Sequence, residues 1–255
     1  MDAFRQQGGQ SLESERTQRL IAMGQMAASL AHEIRNPLGS MKLYCSLLDR
    51  DLCELPDQQV LAKRVLEGIV TLERVISNCL QFARVIKPKF TAVRDVSAFI
   101  KKIVNSLEPL GSREIVTIEV QGDLNQEIWL DTYQMQQVLI NLLTNALESV
   151  SQKKEEGAGD YRPQVVVRSE VFESGSWQLR IIDNGMGIAL GDEARLFDPF
   201  YSTKSKGTGL GLSIVHMLVN AHGGSLEIKP REDGASGASV IVSLPQYQRD
   251  QAIAV

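Results

Sequence analysis

Between Leu20 and Leu52 the apolar residues recur in steps of three and four: Leu20, Met23, Ala27, Leu30, Ile34, Leu38, Met41, Cys45, Leu48 and Leu52. That spacing marks a helix with a single apolar seam, of the kind that packs in a bundle. It predicts a first helix from near Arg16 to about Leu52, with Pro56 and Asp57 marking a short turn. A second helix follows, with Leu61, Val65, Leu72, Val75 or Ile76, Cys79, Phe82 or Ala83 and Ile86 at the same steps, ending before Pro88. Two helices of about 30 residues, each roughly 45 Å long, form an antiparallel hairpin. Stripes this wide cannot be buried within the hairpin. A homodimer, giving a four-helix bundle, closes them most simply. Packing on the downstream part is the alternative, less favoured because that part looks self-sufficient.

From Phe90 the pattern changes to mixed α/β. It predicts a helix over Asp95–Leu110, strands over Ile115–Val120 and Glu127–Leu130, and a helix over Asp131–Val150. A charged loop over Lys153–Arg162 leads to strands starting at Val165 and Trp177. A long loop then runs to about Gly207, followed by a helix over Leu210–Ala221 that His222-Gly223-Gly224 should cap. Two strands, Ser225–Lys229 and Ala238–Leu244, close the pattern. The expected fold class is thus α plus α/β, a helical-hairpin dimerisation domain followed by an α/β sandwich. The boundaries are a polar lead-in (1–15), the hairpin (16–87), the α/β domain (88–246) and a polar tail (247–255).

Composition removes several function classes. Of 255 residues, 43% are apolar and 23% charged, and the net charge of −4 offers no electrostatic footprint for nucleic acid. No apolar run approaches the roughly 20 residues of a membrane span, and the polar start is not a signal peptide. Three scattered cysteines, Cys45, Cys53 and Cys79, read as reduced packing residues. The expectation is a cytoplasmic protein with neither membrane insertion nor nucleic-acid binding.

Four stretches carry chemistry. With Ala27 at a and Leu30 at d, His32 falls at f, on the outward face of its helix. Glu33 adjoins it, and Arg35 and Asn36 lie at i+3 and i+4, within reach of one imidazole. Pro37 should bend the helix just beyond. Asn141, Asn145 and Glu148 sit at i, i+4 and i+7 and line one helix face, a row of oxygens suited to a hard, hydrated cation such as Mg²⁺ that also holds phosphates. Asp183 ends an apolar strand and opens a turn with Gly185 and Gly187. Its carboxylate can accept from a purine amino group while the glycines let the backbone approach the ring. Gly207, Thr208, Gly209, Leu210 and Gly211, with Lys204 close by, enter a helix N-terminus, a site for polyphosphate. The loop ahead of them reads as a lid. Each stretch has a bland alternative: a surface histidine, a solvated helix face, an ordinary Asn-Gly turn, a glycine loop. His216 and His222 carry no ligand spacing and read as structural.

Taken in order, these stretches resemble the catalytic core of two-component sensor histidine kinases. Ala31–Leu38 resembles the phosphoacceptor box, Asn141–Glu148 the asparagine box and Asp183–Ile188 the first glycine box. Leu196–Lys204 resembles the phenylalanine box and Gly207–Leu212 the second glycine box. The wording is closest to soluble nitrogen- and flagellar-regulation kinases. The resemblance implies ATP and Mg²⁺ as cofactors, with Asn141 and Asn145 holding the metal and phosphates and Asp183 reading adenine. Thr208 and the lid glycines would wrap the triphosphate beside Lys204, and His32 would take the γ-phosphoryl group with Glu33 as base. Asn36 fits the water-positioning residue for dephosphorylating a response regulator, the implied partner. The signal would reach the core from a separate sensor protein or a missing sensor domain. A conformational ATPase of the same nucleotide-binding fold, or a phosphatase-only partner, are the competing classes.

Overall fold

The structure, a computed structural model, describes residues 34, 36–82, 87–107, 116–122, 127–157, 160–172, 176–188, 195–204 and 208–245. It divides into two compact units, Met1–Val85 and Ile86–Val255. Among the described residues no helix is long and apolar enough to cross a membrane.

In the first unit, residues 36–51 are helical (α1) and a turn at 52–54 leads into α2, Pro56–Phe82. Pro56 is thus the first residue of α2 rather than part of the turn. Its missing N–H falls where a helix has no partner for one, and its fixed φ suits the first helical position. The helices run antiparallel, tied by Lys42 to Glu73 at 2.8 Å, Lys63 to Asp49 at 3.8 Å, and Gln59 Nε2 donating to the Asp49 carbonyl at 3.0 Å. The seam read along α2 stays outside the single hairpin. Leu61, Val65 and Leu72 are 61%, 53% and 52% exposed, while Ala62 and Ile69, with Leu38 of α1, are buried. The intrachain contact therefore uses a stripe one position round the helix. The more conspicuous leucine and valine stripe stays outside, together with Met41 and Leu48. Two apolar stripes on one helix are what a helix in a bundle of more than two requires.

The second unit is built on a five-stranded sheet in the order β2-β4-β5-β7-β6: Val116–Gly122, Val165–Val171, Trp177–Asp183, Ala238–Leu244 and Ser225–Pro230. β2 and β4 are parallel; the other neighbours are antiparallel. β1 (Thr91–Val93) pairs with β3 (Ile128–Leu130) in a separate ribbon. β1 was not expected, being three residues just after Pro88-Lys89, too short to show a period. Helices α3 (Val96–Ser106), α4 (Thr132–Glu155) and α5 (Gly211–Ala221) complete the unit. α4 packs on α5, β5 and α3, and α5 on β6.

Burial alternates along β4 and β5, so Val165, Val167, Leu179 and Ile181 face the helices, while Arg168 and Arg180 face outward. The indole of buried Trp177 donates to the buried Ser169 hydroxyl at 2.8 Å, which resolves two core polar groups with one bond. α3 is capped by Asp95, which accepts from Ala98 N–H, and α4 by Asp131, which accepts from Gln134 N–H at 3.0 Å. α3 ends at Ser106, four residues short of expectation, and α4 runs one turn past Val150. α5 ends in a Schellman motif, with Gly224 N–H donating to the Val219 carbonyl and Gly223 N–H to that of Asn220.

His222, read from sequence only as a cap, is a core residue. Its ring is fully buried, accepting from Asp131 N–H at Nε2 (3.1 Å) and facing the Leu218 carbonyl with Nδ1 (2.8 Å). One nitrogen must accept and the other donate, so the imidazole is neutral. Burial pushes its pKa below 6.5, against the opposing pull of the Leu218 carbonyl and Asp131. A depressed pKa contributes stability that is present above the unfolded value and lost as pH falls below it. The thermal midpoint should therefore decline as pH drops below about 6.5. In His222→Gln, which keeps an acceptor and a donor but cannot titrate, the decline should be smaller. Equal slopes in a pH series of melts would show that His222 does not control it.

Candidate functional site

Of the expected site residues, His32 and Glu33 lie outside the described residues, as do Gly207 and, in the lid, residues 189–194 and 205–206. The Pro37 bend turns on the Glu33 carbonyl and so lies outside the described residues as well. Asn36 is described, in α1 of the first unit, and is exposed. The remainder converge in the second unit around α4.

α4 buries Leu139, Leu142, Leu143, Ala146 and Leu147 against the sheet and α5, which leaves Asn141, Asn145 and Glu148 on its other face. Gly211 opens α5 directly opposite the two amides: a Cβ built there would lie 3.7 Å from Asn141 Oδ1 and 3.9 Å from Asn145 Nδ2. The positive end of the α5 dipole thus faces a row of amide and carboxylate groups. Lys204 reaches in from the lid side. Its ammonium is 2.6 Å from Glu148 Oε2 and 3.5 Å from Asn145 Oδ1. A cation therefore already stands among these oxygens, a fit for Mg²⁺ carried on a polyphosphate. Among the described residues no group of three or more His, Cys, Asp or Glu could hold a metal ion alone.

The lid root is fixed by a close backbone approach. Gly209 has φ +65°, and a Cβ on it would fall 2.3 Å from the Phe200 carbonyl carbon, so no side chain fits there. Phe200 N–H donates to the Gly209 carbonyl at 3.0 Å while Phe200 itself is held at φ 67°, a strained setting for an aromatic residue. Phe197 stacks on His216 of α5 at 5.0 Å, and the Arg195 guanidinium lies over the Tyr201 ring at 4.3 Å. His216 thus anchors the lid segment. The side chain of Leu210, one of the expected polyphosphate-site residues, is wholly buried, which leaves its backbone for a ligand.

Asp183 ends β5 with 5% of its surface exposed. Its carboxylate accepts from Gly185 N–H at 2.9 Å and from the Ser149 hydroxyl at 3.4 Å. Burial pushes its pKa above the ordinary carboxylate value, opposed by hydrogen bonds from Gly185, Ala238 and Ser149 and by the Arg231 guanidinium. Gly185 has no room for a Cβ, which would meet Ser149 Oγ at 2.2 Å; α4 and this turn touch. Gly187 continues the turn at φ 81°. A desolvated carboxylate with acceptor capacity left over is suited to taking a hydrogen bond from an amino group.

Sequence reading missed Ser149, Lys153, Tyr161 and Ser236. Met186 N–H donates to Ser149 Oγ at 3.1 Å and the Ser236 hydroxyl to the Gly185 carbonyl at 2.7 Å. Ser149 continues the Asn145–Glu148 row by one residue, which was its one available signal. Nothing local marks the other three.

Two family models match the chain: the His Kinase A (phospho-acceptor) domain over residues 22–87, and the histidine kinase-, DNA gyrase B- and HSP90-like ATPase over residues 130–248. The sensor histidine kinase ZraS of Escherichia coli (strain K12) is 31% identical over 239 residues, which cover 91% of this chain and 48% of that one. The chain thus spans about half the length of the curated relatives it matches. Among solved structures, full-length ShkA in complex with AMPPNP aligns with a TM-score of 0.70 at 22% identity, over 89% of this chain and 46% of that one. The histidine kinase ThkA in complex with the response regulator protein TrrA aligns at 0.62 and 22% identity, over 94% and 66%. At those identities the likeness is one of fold.

Proposed function

The chain belongs to the sensor histidine kinases of two-component systems, and from that membership we propose that it moves the γ-phosphoryl group of ATP to His32 and then to an aspartate of a response regulator. The observation that carries the reading is the face of α4. Asn141, Asn145 and Glu148 there meet the α5 N-terminus at Gly211 and the Lys204 ammonium, which is the donor set a magnesium triphosphate needs. Asn141 and Asn145 would hold the metal, which when bound neutralises phosphate charge and orients the γ-phosphorus. Thr208 and the backbone of Gly207–Gly211 would close on the phosphates, and Asp183 would take the adenine amino group. Lys204 would leave Glu148 for the phosphates.

At the phosphoacceptor, a ring nitrogen of His32 forms a bond to the γ-phosphorus, the bond to the β–γ bridging oxygen breaks, and ADP departs. Glu33 fixes the tautomer and takes the proton from the other ring nitrogen. The exposed stripe of Met41, Leu48, Leu61, Val65 and Leu72 supports a homodimer closed as a four-helix bundle. The regulator complex of ThkA supports a regulator as partner. Asn36, exposed and four residues after His32 in sequence, would orient water on the regulator's phosphoaspartate. The signal would come from sequence beyond this core or from a separate sensor protein.

The test is incubation with γ-labelled ATP and Mg²⁺, followed by a phosphate-free receiver domain. Acid-labile, alkali-stable label on the chain, passing to the receiver and lost from it more slowly with Asn36→Ala, is the expected result. ATP hydrolysis with no label on the protein would overturn it in favour of a conformational ATPase. Receiver dephosphorylation alone would leave a phosphatase.

A further inference from the structure

The segment between α4 and β4 reads in sequence as a charged loop without a role. In the structure it is knotted to Asn184, the residue after Asp183. The Tyr161 hydroxyl lies 2.8 Å from Asn184 Oδ1 and 3.1 Å from its carbonyl oxygen, one proton serving either acceptor. Gln164 N–H donates to the same Oδ1 at 2.9 Å, and Asn184 Nδ2 donates to the Arg162 carbonyl at 2.8 Å. From α4, the Lys153 ammonium donates to the carbonyls of Asn184 (2.9 Å) and Gly185 (3.2 Å), and it sits 4.9 Å from the centre of the Tyr161 ring. Every acceptor of Asn184 is therefore taken, and the Asp183–Gly187 turn is held by α4 and by the segment before β4. Among the described residues, the hydrogen bonds of these groups go to the turn and to the segment before β4, and those of Lys204 to Glu148 and Asn145.

We propose that Tyr161 and Lys153 are positioning residues for base recognition, holding the turn in the one shape in which Asp183 accepts from an adenine amino group and rejects guanine. Guanine presents a carbonyl oxygen where adenine presents that amino group, and a carboxylate repels it only if it cannot move aside. A turn released from Tyr161 and Lys153 can move aside. The discrimination then falls while the grip on phosphate is kept. This inference rests on the nucleotide reading above.

The measurement is equilibrium binding of ATP, GTP and inorganic tripolyphosphate to the full chain, Tyr161→Phe and Lys153→Met, with the rate at saturating ATP beside it. Tyr161→Phe keeps the ring over which the ammonium lies and loses only the donor. It should bind ATP about fivefold more weakly, the loss of one hydrogen bond, and lower the ATP-to-GTP affinity ratio by a similar factor. Tripolyphosphate binding and the saturated rate should not change, and Lys153→Met should move the same ratio in the same direction. A staple that serves stability alone would lower the melting midpoint and leave the ratio untouched, and that result overturns the proposal. Failure of the unsubstituted chain to bind ATP would overturn the nucleotide reading and this inference together. ATP binding with an unaltered ratio in both variants overturns this inference alone.

Discussion

Asp183→Asn is expected to weaken ATP binding about a hundredfold while leaving the melting midpoint unchanged or higher. The two effects share one cause. The carboxylate is buried at the end of β5, and burial holds its pKa above the ordinary value. At neutral pH its charge is therefore a cost to the folded state that the bonds from Gly185, Ala238 and Ser149 only partly offset. The sign follows from linkage. A carboxyl raised on folding contributes stability at low pH that is lost as pH rises through the raised value. Asparagine keeps an oxygen for Gly185 N–H and does not titrate, so its advantage over aspartate should grow from acid to neutral pH.

For the ligand the balance reverses. A hydrogen bond to a charged acceptor is worth about 1.5–3 kcal/mol, and an amide that keeps its oxygen on Gly185 turns its own NH₂ toward the adenine amino group. Titration calorimetry and melts at two pH values check both halves. A variant that loses stability and binding together would show that Asp183 is structural.

The second large effect is expected at His32. His32→Gln should abolish acid-labile label while ATP binding stays within about twofold, since glutamine has the bulk and polarity of imidazole but no nucleophilic nitrogen. The chain has three histidines, and the structure accounts for two. His222 has both ring nitrogens engaged in the core, with Asp131 N–H and the Leu218 carbonyl. His216 is stacked under Phe197 with its nitrogens close to Asn220 Nδ2. A neutral imidazole keeps a lone pair on one ring nitrogen and can attack. Label persisting on His32→Gln would reassign the acceptor. Loss of ATP binding as well would mean that the substitution disturbs the second unit.

How far each reading could be taken from sequence depended on whether its cause was local. Helical period, strand alternation and the Gly223-Gly224 stop are short-range consequences of residue type, and the elements stand close to where the pattern put them. The row Asn141, Asn145, Glu148 is likewise one helix face by arithmetic, and it remains one in the structure. Ambiguity began where two choices had equal local merit. α2 carries apolar residues on two stripes, and only packing against α1 decided that Ala62 and Ile69 face inward while Leu61, Val65 and Leu72 stay out.

The residue pattern by itself determined the two-part architecture and the family, because each is written in contiguous or helically spaced residues. Tertiary structure alone decided what the candidate site groups rest on. Lys204 meets Glu148 across 56 positions of chain, Tyr161 meets Asn184 across 23, and His222 holds the start of α4 from 91 residues away. None of these pairs has a local signature, since a lysine, a tyrosine or a histidine in a polar stretch is indistinguishable from a solvated one until the chain closes. Their partners are fixed by strand order and by the packing of α4 and α5 on one another and on the sheet. That is why helix faces and turns could be read in advance, and the long-range pairs that hold them in place could not.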